Sequence, residues 1–76
     1  MNDNTRNLAT YIGFYIIKYR KKKKLTQGSL AKLVKVSTPE ICHYETGKRI
    51  PLLINLKALV QILEMPVEVL EEIFYD

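Results

Sequence analysis

Residues 25–51 read LTQGSLAKLVKVSTPEICHYETGKRIP, and this stretch decides the fold. Thr26 precedes a short run of apolar residues at helical spacing, which predicts a first helix with a threonine cap. Ser37, followed three residues later by Glu40, is a capping-box pattern and predicts the start of a second helix. Because so few residues join the two helices, they must cross steeply. The stretch therefore predicts a helix-turn-helix over about residues 26–46, whose second helix can enter a DNA groove.

The chain has 76 residues and a formal net charge of +4, which suits one domain with a single small core. The charge is unevenly distributed. Residues 1–49 contain 11 lysines and arginines against three acidic residues, whereas residues 50–76 contain one lysine against five acidic residues. This asymmetry indicates that one end of the molecule binds a polyanion. A solvated charged surface is the alternative reading of the same pattern.

Cysteine content and hydropathy narrow the class of protein. The single Cys42 cannot form an intramolecular disulfide, no leader pattern is visible, and the apolar runs are too short to span a membrane. A cytoplasmic protein, associated with the nucleoid when bound to DNA, is therefore expected. No metal-ligand cluster or catalytic constellation stands at a suitable spacing. The sequence thus predicts no enzymatic activity, no cofactor, no metal and no small-molecule ligand.

Helical periodicity predicts three more helices around the central motif. The first covers about residues 5–22 and has a core-facing stripe of Leu8, Ile12, Tyr15, Ile16 and Tyr19. The next covers about residues 52–63, with a core stripe of Leu53, Leu56, Leu59, Val60 and Leu63. Pro66 opens a short last helix, and residues 1–6 are expected to be flexible. The predicted fold class is a compact, all-α, five-helix domain spanning residues 1–76.

The first helix carries more apolar surface than a core stripe needs, because Phe14 and Ile17 lie beside that stripe. Either the helix is deeply buried in a small core, or these residues form a second interface. Gly13 either permits close packing or simply weakens the helix. The lysines at positions 21–24 suit the negative end of the helix dipole, and they also stand where they can reach phosphates.

Base-reading residues are predicted on the outward side of the second helix of the motif. Ile41 and Glu45 fall on its inward side, and the outward residues are short enough for a major groove. The predicted base-reading set is Thr38, Pro39, Cys42 and His43. Two of these residues have other readings: a lone histidine is usually only a surface residue, and Cys42 is read as a small packing residue rather than a redox switch. Glu40 is expected to close the capping box rather than to accept from cytosine.

A second set of residues is predicted to hold the DNA backbone. Gln27 lies in the first turn of its helix, where free backbone N–H groups attract anions. Gly47 is expected to end the recognition helix in the left-handed conformation, which places the following cations beside the docking surface. Such contacts position a protein on phosphates and carry little sequence information. The predicted backbone set is Lys24, Gln27, Ser37, Tyr44, Thr46, Lys48 and Arg49.

In the order and spacing of these features, the sequence resembles the Cro and lambda-repressor type of helix-turn-helix proteins, the xenobiotic-response-element (XRE) family. The resemblance covers about residues 12–74 and rests on the segments YRKKKKLTQGSLAKLVKVS, HYETGKRIP and LEMPVEVLEEIF. It implies DNA contact by Gln27 and base readout within residues 37–43. It also implies an ion pair between Arg20 and Glu45.

The sequence departs from the family pattern at three positions. Lys24, Lys35 and Glu64 stand where the family commonly has glycine. A residue with a side chain must accept a strained positive φ at such a position or alter the turn. The departure at Lys35 matters most, because it lies between the two helices of the motif.

The function favoured by the residues and the resemblance is sequence-specific binding of double-stranded DNA by a small, repressor-like transcriptional regulator. A module of this size is expected to act as a homodimer on a pseudo-palindromic site. The predicted dimer interface comprises Phe14, Ile17, Val69, Ile73 and Phe74. The alternative is an antitoxin or adaptor that uses the same scaffold mainly to bind another protein. Salt-dependent binding of duplex DNA separates the two.

Overall fold

The computed structural model describes residues 3–75, and the side chains of residues 8–75. These residues form five helices, α1 (Asp3–Lys22), α2 (Gln27–Val34), α3 (Thr38–Glu45), α4 (Leu53–Leu63) and α5 (Val67–Tyr75). The predicted all-α class and the helix-turn-helix of α2 and α3 are confirmed. α1 begins two residues before its predicted start. Residues 1–6 were expected to be flexible. Of these, residues 3–6 belong to α1, and residues 1 and 2 lie outside the described part of the chain.

Side-chain caps set the starts of α2 and α3. The Oγ1 atom of Thr26 accepts a hydrogen bond from the backbone N–H of Ser29 at 3.0 Å. The Oγ atom of Ser37 accepts from the backbone N–H of Glu40 at 3.2 Å. Each cap satisfies a donor that the first turn of a helix leaves unpaired, so both helices begin where the sequence predicts. The Glu40 carboxylate lies toward Arg49, with Oε1 3.7 Å from Nε.

Three helices end on a left-handed residue that is not glycine. The φ angles are 59° at Lys24, 68° at Lys35 and 53° at Glu64. After each of them, the next backbone N–H returns to a carbonyl five residues earlier, at 3.0 Å for Leu25, 3.0 Å for Val36 and 3.1 Å for Met65. This is the Schellman arrangement, in which an apolar residue follows the left-handed one. At the three positions where the family commonly has glycine, the chain keeps the glycine conformation and accepts the strain.

The core draws side chains from all five helices. Ile16, Leu30, Ile41 and Leu59 are completely buried, and Val69 and Ile73 of α5 close the core from one side. The predicted core stripe on α4 is wrong at Leu53, because this residue is 74% exposed. Three consecutive residues at the start of α4, positions 52–54, are all exposed, so no neighbouring element covers this turn. The inward side of α4 is therefore formed by Leu56, Leu59 and Leu63.

Gly13 lies where α1 crosses the end of α3. A Cβ atom at this position would stand 2.6 Å from the carbonyl oxygen of Tyr44 and 2.7 Å from that of Glu45. Real Cβ atoms do not approach backbone oxygens this closely, so only glycine fits. Of the two readings of Gly13, close packing is therefore correct. The backbone of α1 directly supports the last turn of α3.

Candidate nucleic-acid interface

The outward side of α3 carries the four residues predicted to read bases. Thr38 and Pro39 are exposed in its first turn, and Cys42 and His43 are half-buried one turn later. The opposite side of the helix is fixed in the core by Ile41. Helical geometry therefore places the predicted base-reading set together on one surface, as expected from its spacing.

The start of α2 borders this surface. A Cβ atom at Gly28 would lie 3.8 Å from the Oγ1 atom of Thr38, so the first turns of α2 and α3 are neighbours. The side-chain amide of Gln27 donates a hydrogen bond to Oε1 of Glu45 at 2.8 Å. An amide nitrogen carries two hydrogens, so Gln27 retains a second donor for an acceptor outside the protein.

A buried ion pair holds the helix-turn-helix on α1. The Nε atom of Arg20 lies 2.6 Å from Oε2 of Glu45, and its Nη2 atom donates to Oε1 at 3.2 Å. The two side chains are only 13% and 4% exposed. Arg20 also donates from Nη1 to the backbone carbonyl of Leu25 at 3.0 Å. Together with Gln27, the pair joins α1, the loop before α2, α2 and α3, so it fixes the presentation of α3.

The end of α3 positions two cations beside the outward surface. Gly47 has a φ of 75°, as predicted, and the backbone N–H of Lys48 donates to the carbonyl of His43 at 2.9 Å. The hydroxyl of Thr46 donates a hydrogen bond to the backbone carbonyl of Cys42 at 2.9 Å, so its proton is already used within the protein. The side chains of Lys48 and Arg49 are exposed next to α3. The loop therefore places two positive charges beside the outward side of α3, a position from which cations can contact phosphate.

Tyr44 was predicted to contact the DNA backbone, and the structure contradicts this prediction. It is only 1% exposed, and its hydroxyl accepts a hydrogen bond from the side-chain amide of Asn55 at 3.3 Å. Burial raises the pKa of the Tyr44 phenol above its ordinary value. Tyr44 faces inward because it shares the core side of α3 with Ile41. Its hydrogen bond with Asn55 connects α3 to α4, and its buried side chain is not accessible to a phosphate.

The lysines after α1 divide by their contacts. Lys24 is exposed and stays available for a phosphate, whereas Lys23 forms an ion pair with Glu64 at the end of α4. Hydrogen bonding and charge from Lys23 lower the pKa of the Glu64 carboxyl. One lysine of this run therefore links α1 to α4 at the surface. Ser37 is exposed even though its hydroxyl caps α3.

A family model described as helix-turn-helix matches residues 16–70, which is well over half of the chain and includes every element of the surface just described. The chain belongs to this helix-turn-helix family. The family is of the XRE and lambda-repressor type and consists of DNA-binding regulators, so the resemblance found in the sequence is confirmed. Comparison with individual curated proteins and with solved structures gave no match.

Two of the residues predicted at a dimer interface occupy another place in this helix-turn-helix protein. Val69 and Ile73 are 4% and 8% exposed, because they pack into the protomer's own core. Phe14 and Phe74 are more than half exposed, and Ile17 is half-buried. Burial thus removes Val69 and Ile73 from the surface that a second copy can reach.

The sequence reasoning missed a strip of aromatic and basic side chains along α1, in which two tyrosines are partly buried against the core and the other members are exposed. Tyr15 stacks between Tyr11 and Tyr19, with ring centroids 6.3 and 6.4 Å away. The Nζ atoms of Lys18 and Lys22 lie 5.6 and 5.7 Å from the Tyr19 ring centroid. We call these five residues the tyrosine–lysine strip. Its signal in the sequence is the four-residue spacing of the tyrosines and of the lysines, which places each set on one side of a helix.

Residues 3–75 contain neither a candidate metal site nor a candidate membrane-spanning helix. No group of three or more His, Cys, Asp or Glu residues in that range could hold a metal ion. No helix within it is both long and apolar enough to cross a membrane.

Proposed function

We propose that this protein is a repressor-like transcriptional regulator that binds specific double-stranded DNA sequences with α3 in the major groove. The observation that carries the proposal is the outward side of α3. Its side chains are short and accessible, and they are flanked by the start of α2 and by the cations of residues 48–49. A major groove about 12 Å wide admits one α-helix. An eight-residue helix with small outward side chains suits that space.

The proposed contacts divide into base readout and backbone positioning. On α3, Thr38 and His43 would exchange hydrogen bonds with base edges, and Pro39 and Cys42 would provide apolar contact, for example to a thymine methyl group. Phosphate contacts would come from Lys24, Gln27, Ser37, Thr46, Lys48 and Arg49. Because the basic residues lie in these helices and loops, the affinity should fall steeply with salt.

A homodimer is part of the proposal. A single module of this kind buries only about 600–1,000 Å² of protein surface on DNA, and a second copy doubles the contact. Half-sites in dimeric helix-turn-helix complexes are about 34–36 Å apart. The protomer measures 32 × 24 × 20 Å, a size that allows two copies to occupy half-sites at that separation. The binding site would therefore be pseudo-palindromic, with half-sites about one helical turn apart.

Selection of binding sites from randomised duplex DNA tests the proposal directly. The wild-type protein should enrich a two-fold-symmetric sequence. His43→Ala should change the enriched sequence, because a base contact is lost, whereas Lys48→Ala should weaken binding to all sequences about equally. Lys57→Ala is the matched control, since Lys57 is exposed on α4 outside the proposed surface and its loss should change neither result. Absence of enrichment, or affinity that does not respond to salt, would refute the proposal.

One observation favours a second candidate, an antitoxin or adaptor that binds mainly another protein. A groove of about 360 Å³ runs between α4 and α5. Its apolar lining residues are Leu53, Leu56, Val60, Leu70 and Phe74. Apolar concave surfaces are typical of binding sites. If duplex DNA does not bind at any salt concentration, this candidate becomes the better explanation.

A further inference from the structure

The eight residues of α3, TPEICHYE, include none of the side chains that read a base pair with two hydrogen bonds. Arginine and lysine read guanine in this way, and asparagine and glutamine read adenine. Of the two carboxylates of α3, which could accept from cytosine, Glu45 is buried against Arg20 and Gln27. The other carboxylate, that of Glu40, lies beside a cation of the following loop, with Oε1 3.7 Å from Nε of Arg49. α3 therefore has little capacity to distinguish base pairs through hydrogen bonds.

The hydrogen-bonding side chains on the outward side of α3 are those of Thr38 and His43. The Oγ1 atom of Thr38 lies toward α2, since a Cβ atom at Gly28 would stand 3.8 Å from it. The imidazole of His43 is half-buried one turn later. A hydroxyl group and a neutral imidazole can each donate and accept, so both can pair with donors and acceptors on base edges alike. Neither side chain by itself specifies one base pair.

The outward side of α3 offers mainly small apolar groups, namely the methyl group of Thr38, the ring of Pro39 and the thiol of Cys42. Thr38 and Pro39 precede Cys42 by four and three residues, so the three side chains adjoin on the helix surface. The apolar group that base edges present in the major groove is the C5-methyl group of thymine. We infer that α3 recognises its binding site chiefly through C5-methyl groups of pyrimidines. This inference rests on the proposed DNA binding and specifies the chemical group that α3 reads.

A C5-methyl group in duplex DNA belongs either to thymine or to a methylated cytosine. The two bases carry the methyl group at the same position of the ring, but their hydrogen-bonding edges differ, because thymine O4 accepts and cytosine N4 donates. A surface that reads mainly the methyl group accepts both bases, whereas a surface that reads hydrogen bonds accepts only one. Methylation of a cytosine within the contacted part of the site should therefore strengthen binding.

Exchange of the methyl group alone tests the inference. The probe is the duplex enriched in the selection described above, in which each thymine is replaced in turn by deoxyuridine, a base that lacks only the methyl group. The same positions are then occupied by 5-methylcytosine or by cytosine, each paired with guanine, and these two bases again differ only in the methyl group. Burial of one methyl group corresponds to about a fourfold change in affinity. At the positions that α3 contacts, we expect binding about fourfold tighter for the methylated member of each pair.

Variants of α3 separate direct contact with the methyl group from an effect of the methyl group on DNA shape. Thr38→Ser removes the methyl group of threonine and keeps its hydroxyl, Pro39→Ala removes most of the ring, and Cys42→Ser replaces the thiol with a polar group. At least one of these variants should abolish the difference between thymine and deoxyuridine, because two changes that remove the same contact are not additive. Lys48→Ala is the matched control, since it should weaken binding to both duplexes by the same factor. Circular dichroism verifies that each variant is folded.

Three results would overturn the inference. If the protein binds the enriched duplex but no exchange of a methyl group changes the dissociation constant, the proposed DNA binding stands and readout of methyl groups fails. If thymine is preferred over deoxyuridine equally by the wild-type protein and by all three α3 variants, the methyl group acts through DNA shape and not through α3. If the selection enriches no sequence at all, the proposed function fails and this inference fails with it.

Discussion

Replacing Lys35 with glycine should stabilise the protein, although it removes a side chain from a native structure. Lys35 has φ 68° and ψ 44°, a left-handed conformation that costs a residue with a Cβ atom about 1–2 kcal/mol. Glycine removes that strain but gains freedom in the unfolded chain, which offsets about 0.5–1 kcal/mol. The Lys35 side chain is exposed, and its backbone N–H still donates to the carbonyl of Ala31. The net gain in the free energy of unfolding is therefore about 0.5–1 kcal/mol.

Urea and thermal unfolding followed by circular dichroism measure this gain. For a domain of this size, 1 kcal/mol corresponds to about 4–8 °C in melting temperature, so Lys35→Gly should melt about 2–8 °C higher. Lys32→Gly is the matched control, because Lys32 is exposed inside α2 and the change should lower stability by about 1 kcal/mol. If Lys35→Gly destabilises the protein as much as Lys32→Gly does, the left-handed geometry carries no strain and the reasoning is wrong.

Three further predictions concern the support of α3 and the outer side of α1. Arg20→Met and Glu45→Leu should each lower the free energy of unfolding by about 3–5 kcal/mol, because each leaves a buried charge unpaired. The double substitution should cost less than the sum, and additive values in urea unfolding would contradict a direct pair. Gly13→Ala should lower stability by about 1–3 kcal/mol, because its methyl group would meet two carbonyl oxygens; an unchanged melting curve would contradict the close approach. The hydrogen bond to Glu72 raises the pKa of Tyr15 from 10.0 to about 12, so its stabilising effect should be complete below pH 10 and be lost as the pH rises through about 12. The difference in melting temperature between wild type and Tyr15→Phe should shrink over that range, and a constant difference would refute the assignment.

Local signals predicted the helix-turn-helix well. Thr26 and Ser37 cap α2 and α3 through hydrogen bonds to residues only three positions away, so the sequence contains the whole interaction. The left-handed conformation of Gly47 is equally local, because it depends on the backbone at the end of one helix. Features that close within one turn are readable from the sequence alone.

Features that depend on distant elements were harder to predict. Leu53 fits the apolar period of α4, but whether its turn is covered depends on how far the neighbouring helices extend. Val69, Ile73 and Phe74 are all apolar residues of α5, and only the packed structure separates the two core residues from the exposed one. Periodicity identifies an apolar side of a helix without saying what covers it.

In the candidate site, too, local features could be predicted and contacts between distant residues could not. The outward position of the four residues predicted to read bases follows from helical geometry once Ile41 is placed in the core. The burial of Tyr44 depends on its partner Asn55 in the next helix, which no local pattern reveals. The hydrogen bond from Gln27 to Glu45 likewise joins residues from two helices and required the structure.

The contact at Gly13 fixes the distance between α1 and α3. Backbone atoms of the two helices meet there directly, so this distance does not depend on the size of any side chain between them. Residues 38, 39, 42 and 43 lie on the other side of the same helix, outside the core. Under the proposed function, new combinations at these four positions would redirect the protein to other DNA sequences while the contact between α1 and α3 stays the same. The proposed recognition surface could then diversify without a matching change in the core.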